Sequence, residues 1–198
     1  LTVSATADAT TDHITFDTNN SSITATTVSA TDRERYPQDL SFNSDGTSVY
    51  IGGPTTDKIF AYELGTAYDI SSLQDSDTTS VQTNLDEVRG VTVKGDGTKI
   101  FFTGKSGSDN VIKQFSLTTA NDLSTADTTA YNASTNTDGY KEYTFTDFTY
   151  VRQHGLTFSS DGTKFFVLET DNSNSDDFLH QYSLSTAWDI STANHDGK

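Results

Sequence analysis

The chain contains no cysteine and no methionine, and only two of its 198 residues are proline. The absence of cysteine excludes disulfides, thiolate catalysis and zinc–sulfur sites. Basic residues are scarce, with 12 Lys and Arg against 28 Asp and Glu, so the formal net charge is −16 at pH 7. Because phosphate contacts need clustered basic side chains, nucleic-acid binding is not expected, and an anionic membrane surface would repel the chain. No apolar run is long enough to span a bilayer, so we expect no membrane insertion.

Threonine, serine and aspartate are abundant, whereas 32% of the residues are hydrophobic and 11% are aromatic. Threonine favours strands, and serine and aspartate favour turns. An aromatic content of this size argues against a disordered chain. The composition therefore predicts one all-β domain, or one part of a larger repetitive protein, and excludes a coiled coil or helical bundle. Few lysines beside many acidic and hydroxyl residues suit an exposed, salty environment, where charge repulsion is screened.

A pattern of alternating apolar residues on both sides of an Asp-Gly pair occurs three times. The three copies are Leu40–Ile51, Val91–Phe102 and Leu156–Val167. Each copy predicts two strands joined by a tight turn, because Asp-Gly supplies the positive φ that such a turn requires. A third apolar segment follows each pair and predicts a third strand. These segments are Ile59–Leu64, Ile112–Leu117 and Leu179–Leu184.

A second shared turn follows each third strand and carries an aspartate at Asp69, Asp122 or Asp189. We predict fourth strands at Thr78–Thr83 and Tyr143–Phe148. Units of four strands and roughly 40 to 50 residues are typical of β-propeller blades. The interval between the second and third units is longer than the first, and we interpret Tyr131–Phe145 as an insertion in an outer connection.

We therefore predict an all-β, β-propeller-like fold of four-stranded antiparallel blades, with about three blades in this chain. The repeats lie near residues 36–85, 86–150 and 151–198, in a domain of residues 22–198 that follows a polar extension or linker at residues 1–21. The third repeat ends where its fourth strand should begin, and an N-terminal strand at Ser22–Ser29 is expected to complete a blade. Three blades are too few for a ring. A dimer of six blades, a longer chain, or an open arrangement sealed by neighbours would resolve this.

The repeat frame is most complete at residues 160–193. It combines the Asp-Gly-Thr-Lys hairpin, the segment Gln-Tyr-Ser-Leu and the turn Ser-Thr-Ala-Trp-Asp-Ile-Ser. This frame resembles propeller-type repeats in surface and virion proteins of marine microbes and their phages, including tail-fibre-like proteins, over about residues 36–193. The middle repeat departs from it, with Gly95 before its Asp-Gly pair and Asn121 in place of Trp188. The resemblance implies a non-enzymatic display or attachment role at an extracellular, cell-surface or virion location.

Candidate ligand-binding residues lie at two places in the repeat. The first strand of each unit would line a central channel, and the residues just before it would face one mouth of that channel. These rim residues are Gln38, with Asp39 beside it, Arg89 and His154. Their differences suit either a grafted site or ordinary loop variation. Tyr68 and Trp188 occupy equivalent turn positions. Their rings are expected either to stack on a sugar or to pack over the turn between neighbouring blades.

The run from Asp171 to Asp177 is unique to the third repeat. Its carboxylates Asp171, Asp176 and Asp177 could hold a calcium ion, and the alternative is a solvated loop; we expect no other cofactor. The hairpin aspartates also invite a calcium interpretation, but their recurrence favours a role in the turn. Among the four histidines, His180 lies within a strand and is expected to face outward.

The sequence thus predicts a non-enzymatic attachment or structural display protein that binds through variable loops at Tyr131–Tyr140 and Asp171–Asp177. The expected partners are copies of the chain itself and a cell-surface glycan. One alternative is a structural subunit of a filament or capsid assembled by strand exchange. The other is a calcium-dependent propeller hydrolase or lactonase, although Gln38, Arg89 and His154 would make a poor calcium cage.

Overall fold

The structure is a computed structural model that describes Glu34 and residues 36–129, 139–148, 152–170 and 177–197, without the side chains of residues 75–78. Strands form three antiparallel sheets of four strands each, and no α-helix occurs in these ranges. Within the same ranges, no helix has the length and apolar character needed to cross a membrane. The predicted polar extension at residues 1–21 and the predicted strand Ser22–Ser29 lie outside the described residues.

Each sheet is built from four strands that follow one another along the chain. The first sheet contains β1 (Asp39–Phe42), β2 (Ser48–Gly52), β3 (Lys58–Leu64) and β4 (Leu73–Gln82). The second sheet contains β5 (Glu87–Val93), β6 (Lys99–Ser106), β7 (Asp109–Ser116) and β8 (Lys141–Thr144). The third sheet contains β9 (Arg152–Phe158), β10 (Lys164–Thr170), β11 (Phe178–Leu184) and β12 (Ala193–His195). A one-turn 3-10 helix precedes the last strand of each sheet, at Ile70–Ser72, Leu123–Thr125 and Ile190–Thr192.

The Asp-Gly hairpins form as predicted, and the aspartate side chain holds each turn. In the third repeat, Asp161 Oδ1 accepts hydrogen bonds from the Thr163 amide (3.0 Å) and hydroxyl (2.8 Å). Gly162 has φ of +70°, a conformation that a residue with a Cβ rarely adopts. The same aspartate–threonine pairs occur at Asp45 and Asp96. The aspartates thus perform the turn role that their recurrence indicates.

The second shared turn is fastened to this hairpin. Trp188 has a positive φ of 60°, and its amide donates to the Gly162 carbonyl at 2.9 Å. The Trp188 ring lies over Gly162, where a Cβ would overlap it. Asp189 Oδ1 then caps the 3-10 helix by accepting from the Ser191 amide (3.1 Å) and hydroxyl (2.6 Å). The first and second repeats contain the same backbone hydrogen bonds, so each repeat joins its two turns into one rigid unit.

The sheets stack face to face through two apolar cores. The first core lies between the first and second sheets and includes Tyr50, Ile59, Val91 and Phe102. The second lies between the second and third sheets and includes Phe101, Ile112, Leu156, Phe165 and Ile190. Both faces of the middle sheet are therefore covered, as expected for strands that are apolar on both sides.

The first strands of the three sheets neighbour one another, since β1 packs against β5 and β5 packs against β9. Sheets whose first strands meet while later strands spread outward have the radial arrangement of propeller blades. This confirms the predicted all-β, propeller-like fold of four-stranded antiparallel blades.

The predictions for the fourth strands need correction. β4 begins at Leu73 and β8 begins at Lys141, both earlier than predicted, and β8 ends at Thr144. The third repeat was predicted to lack its fourth strand, but the third sheet has one, β12, which pairs with Tyr182–Leu184. β12 is short, however. β4, by contrast, pairs with β3 along its length from Lys58 to Leu64.

Candidate functional site

The inner end of the sheets is the place where the predicted rim residues meet. Asp39 Oδ2 on β1 accepts a hydrogen bond from the Val91 amide of β5 at 3.0 Å. A Cβ at Gly90 on β5 would lie 3.2 Å from the carbonyl carbon of Gly155 on β9, so glycine permits a close approach of these strands. Irregular pairing at both strands, between Val88 and Gly90 and next to Leu168 of β10, bends the chain at this end.

Arg89 and His154 share one electrostatic environment at this inner end. Arg89 is buried and forms a salt bridge with Glu87, with Nη2 and Oε2 at 2.5 Å. Partial burial and the positive charges of Arg89 and Arg152 lower the pKa of His154, while the negative charge of Asp177 acts in the opposite direction. The imidazole of His154 is therefore neutral at pH 7, with one nitrogen that donates and one that accepts a hydrogen bond.

Three of the predicted residues interact electrostatically, because the charges of Arg89 and Asp177 both act on the pKa of His154. Gln38 lies at the start of the neighbouring inner strand; its amide donates to the Gly52 carbonyl at 2.9 Å, and the residue is exposed. Glu87 and Arg152 also belong to the site and were missed by sequence reasoning. Each stands two residues before a predicted site residue, so alternation along β5 and β9 was the signal that could have found them.

Tyr68 and Trp188 have different surroundings although they occupy equivalent positions. Trp188 is half-buried and stacks on Phe158, with ring centroids 5.1 Å apart, and its ring lies 6.0 Å from that of Phe101 in the second sheet. The Trp188 ring thus packs between two sheets, which agrees with the packing alternative. Tyr68 is exposed, packs on Phe42 at 5.5 Å and donates its hydroxyl to the Ser44 carbonyl at 2.9 Å.

The calcium prediction names Asp171, Asp176 and Asp177, and the first two lie outside the described residues. Asp177 is exposed at the start of β11. Among the described residues, no group of three or more His, Asp or Glu side chains is arranged to hold a metal ion. The predicted variable loop Tyr131–Tyr140 is likewise described only at its end.

The prediction that His180 faces outward is wrong. His180 is buried between the second and third sheets, where its Nε2 donates to the buried carboxylate of Glu169 at 2.7 Å. Its Nδ1 lies 3.2 Å from His195 Nε2, and His195 Nδ1 lies 3.6 Å from Asp147 Oδ2. Alternation places His180 on the same face of β11 as buried Tyr182, so the sequence contained this signal.

The converging inner strands and radial sheets define the chain as a β-propeller-like repeat protein. No protein-family profile matches it, and no curated protein matches it by sequence.

Among solved structures, the chain is similar to a chain of a nidogen–laminin complex, with 12% identity, a TM-score of 0.48, and coverage of 80% of this chain and 46% of the other. A Bacteroides fragilis protein described as a candidate 6-phosphogluconolactonase has 14% identity and a TM-score of 0.48, over 81% of this chain and 37% of the other. A luciferin-regenerating enzyme has 11% identity and a TM-score of 0.44, over 73% and 44% of the two chains. The chain spans less than half the length of each of these structures.

Proposed function

We propose that the protein is a non-enzymatic attachment or structural display module that acts outside the cell or on a virion and binds a glycan at the inner end of its sheets. The observation that carries this proposal is the row Gln38, Arg89 and His154. One equivalent position holds three different polar side chains, while the turns that support each sheet keep the same hydrogen bonds.

A binding role is physically reasonable because the residues that hold the turns are different from the three variable residues Gln38, Arg89 and His154. The shared turn residues, such as Asp161 and Asp189, hold the backbone through their own hydrogen bonds. The rim side chains are not needed for those bonds, so they can differ between repeats without disturbing the frame. Binding residues placed on a rigid scaffold commonly vary in this way.

His154 and Arg152, on the first strand of the third sheet, have side chains that suit a sugar. The neutral His154 imidazole can both donate to and accept from hydroxyl groups. Arg152 is exposed beside it and offers a guanidinium fork to a carboxylate or a pair of hydroxyls. The acidic net charge of the chain disfavours long polyanions, so a neutral sugar, or a sugar whose single carboxylate pairs with Arg152, suits this site.

A glycan array probed with the full chain tests the proposal, followed by titration of any glycan that binds. We expect His154→Ala and Arg152→Ala each to weaken binding at least about tenfold, the loss typical of about 1.4 kcal/mol. Lys94→Ala is the matched control, because it also removes one basic charge but lies at a hairpin turn, paired with Asp96. We expect its affinity to stay within about twofold of wild type.

Two results would contradict carbohydrate recognition at this site. One is an array on which the wild-type chain binds no glycan. The other is a loss of affinity in Lys94→Ala that equals the loss in Arg152→Ala, since that would reflect net charge rather than the inner-end geometry.

A further inference from the structure

At each internal contact between sheets, a turn of the later sheet lies on the earlier sheet; at the first contact, Tyr50 Oη donates to the Asn121 carbonyl at 3.2 Å. We call the face of each sheet that looks toward the preceding repeat its leading face, and the opposite face its trailing face. At the second contact, the turn on the leading face of the third sheet lies on the trailing face of the second sheet. There, Lys99 Nζ donates to the Trp188 carbonyl at 3.0 Å, and the Ile190 amide donates to Gln114 Oε1 at 3.2 Å.

The first sheet has the same leading face, but that face is open. Ile70 is 50% exposed, whereas the equivalent Leu123 and Ile190 are 1% and 0% exposed. Leu40 on β1 is also 50% exposed, although Val91 at the equivalent position of β5 is buried. The first sheet therefore has apolar side chains at the positions that form the internal contacts, but no neighbouring sheet among the described residues covers them.

The third sheet presents the complementary trailing face. Leu179 on β11 is 60% exposed, whereas Ile59 and Ile112 at the equivalent positions are 0% exposed. Leu168 pairs directly with Leu179 across the sheet and is also exposed. A terminal repeat normally ends in a polar outer face, so exposed leucines here indicate a contact surface.

Two polar side chains on this trailing face indicate that it can receive a turn of the repeat. Lys164 and Gln181 of the third sheet occupy the positions of Lys99 and Gln114, the two residues that hold the third-repeat turn on the second sheet. In the described chain, Asp196 accepts from both Lys164 and Gln181. The third sheet therefore offers the same pair of polar groups as the face that already receives a turn of this kind.

We propose that the leading face of the first sheet docks on the trailing face of the third sheet of a second copy of this chain. Lys164 would donate to the carbonyl of Tyr68, Gln181 would accept from the Ile70 amide, and Leu179 would cover Ile70. The contact joins two different surfaces, so repetition closes a ring or extends a filament. It also sets Gln38 of one copy beside His154 of the next, in the way that Arg89 lies beside His154 within the chain.

Sedimentation velocity of the full chain over a wide concentration range, at low and high salt, tests this docking. We expect association that strengthens with salt, because screening reduces the repulsion between copies that each carry a net charge of −16. A wild-type chain that stays monomeric at the highest concentration and salt would overturn the proposal.

Single-face variants decide whether the contact is head to tail. Leu179→Asp disables the trailing face and Ile70→Asp disables the leading face, so each variant alone should be monomeric. An equimolar mixture retains one intact pair of faces and should form a heterodimer and nothing larger. If either variant alone still associates, or if the mixture forms no heterodimer, the head-to-tail contact is wrong.

Three controls accompany these variants. Leu179→Asn should also lose association, which shows that an added charge is not the cause. Ser108→Asp adds the same charge at the exposed turn between β6 and β7 and should associate like wild type. Lys94→Ala, the control variant of the glycan experiment, should also associate like wild type, because Lys94 lies at the hairpin turn of the middle sheet, paired with Asp96. Thermal unfolding monitored by circular dichroism confirms that every variant is folded.

Discussion

Ile70 and Ile190 occupy the same position in the same turn, yet one is half exposed and the other is fully buried. Their local backbones are alike, because Asp69 and Asp189 cap the two 3-10 helices with the same hydrogen bonds. The difference comes from the neighbouring sheet, which covers the third repeat and is missing from the first among the described residues. Local sequence therefore determines the shape of the turn, and the neighbouring sheet determines what that turn contributes to stability.

The strongest way to sharpen this comparison is to truncate both isoleucines. Ile190→Ala should lower the free energy of unfolding by about 2–5 kcal/mol, because it leaves a cavity between the second and third sheets. Ile70→Ala should change it by less than about 0.5 kcal/mol, because the side chain is exposed in the single chain. Urea unfolding at low protein concentration measures both values. Equal losses in the two variants would show that the first-sheet face is covered in the monomer.

A second comparison concerns the position shared by Phe60 and His180. His180→Phe gives the third sheet the residue of the first, but removes the hydrogen bond from His180 to the buried Glu169 carboxylate. We expect a loss of about 1–3 kcal/mol, the usual result of removing a partner from a buried polar group. The double variant His180→Phe with Glu169→Leu should recover part of that stability. If His180→Phe alone increased the stability, the hydrogen bond between His180 and Glu169 would not stabilise the fold.

The smallest expected effect is a pH dependence that differs between hairpins. Hydrogen bonds from the Ser159 hydroxyl and from Thr163 lower the pKa of Asp161 to about 2. Because the folded pKa is below the unfolded value, this stabilisation is present above about pH 4 and is lost as the pH falls toward about 2. Asp161→Asn should therefore be less stable than wild type at pH 6, and the difference should shrink between pH 4 and pH 2.

Asp45→Asn is the matched variant in the first hairpin. Asp45 accepts from Thr47, and Asn43 stands where the third repeat has Ser159. We expect the difference in urea midpoint between wild type and Asp45→Asn to change less between pH 6 and pH 2 than the corresponding difference for Asp161→Asn. The interpretation of the Ser159 contact is wrong if the two variants show the same pH dependence.

Much of the fold was predictable because the hairpins are local. The Asp-Gly pairs placed β1 with β2, β5 with β6 and β9 with β10, and period-two alternation located β3, β7 and β11. The fourth strands were less predictable. The interpretation of Tyr131–Phe145 as an insertion was wrong at its end, because β8 lies within that range. Residues 126–140 separate β8 from its 3-10 helix and β12 is only three residues long, so neither strand has the alternating run that identifies one.

The candidate site was predictable in position but not in content. Counting back from the hairpins located Arg89 and His154, and alternation along the strands could have added Glu87 and Arg152, whereas the effect of Arg89 on His154 emerged only when β5 and β9 lay side by side. The role of Trp188 was left open for a similar reason. An aromatic residue in a turn stacks on a ligand or on a neighbouring sheet according to what lies above it, and a linear pattern does not contain that information.

The order of residues alone determined the repeat, its turns and the alternation of its strands, because these depend on contacts between residues close along the chain. Only the tertiary structure decided which of three equivalent side chains became core, rim or open surface. That choice depends on the sheet that packs against each face, and the same isoleucine, histidine or leucine is buried or exposed according to its neighbour.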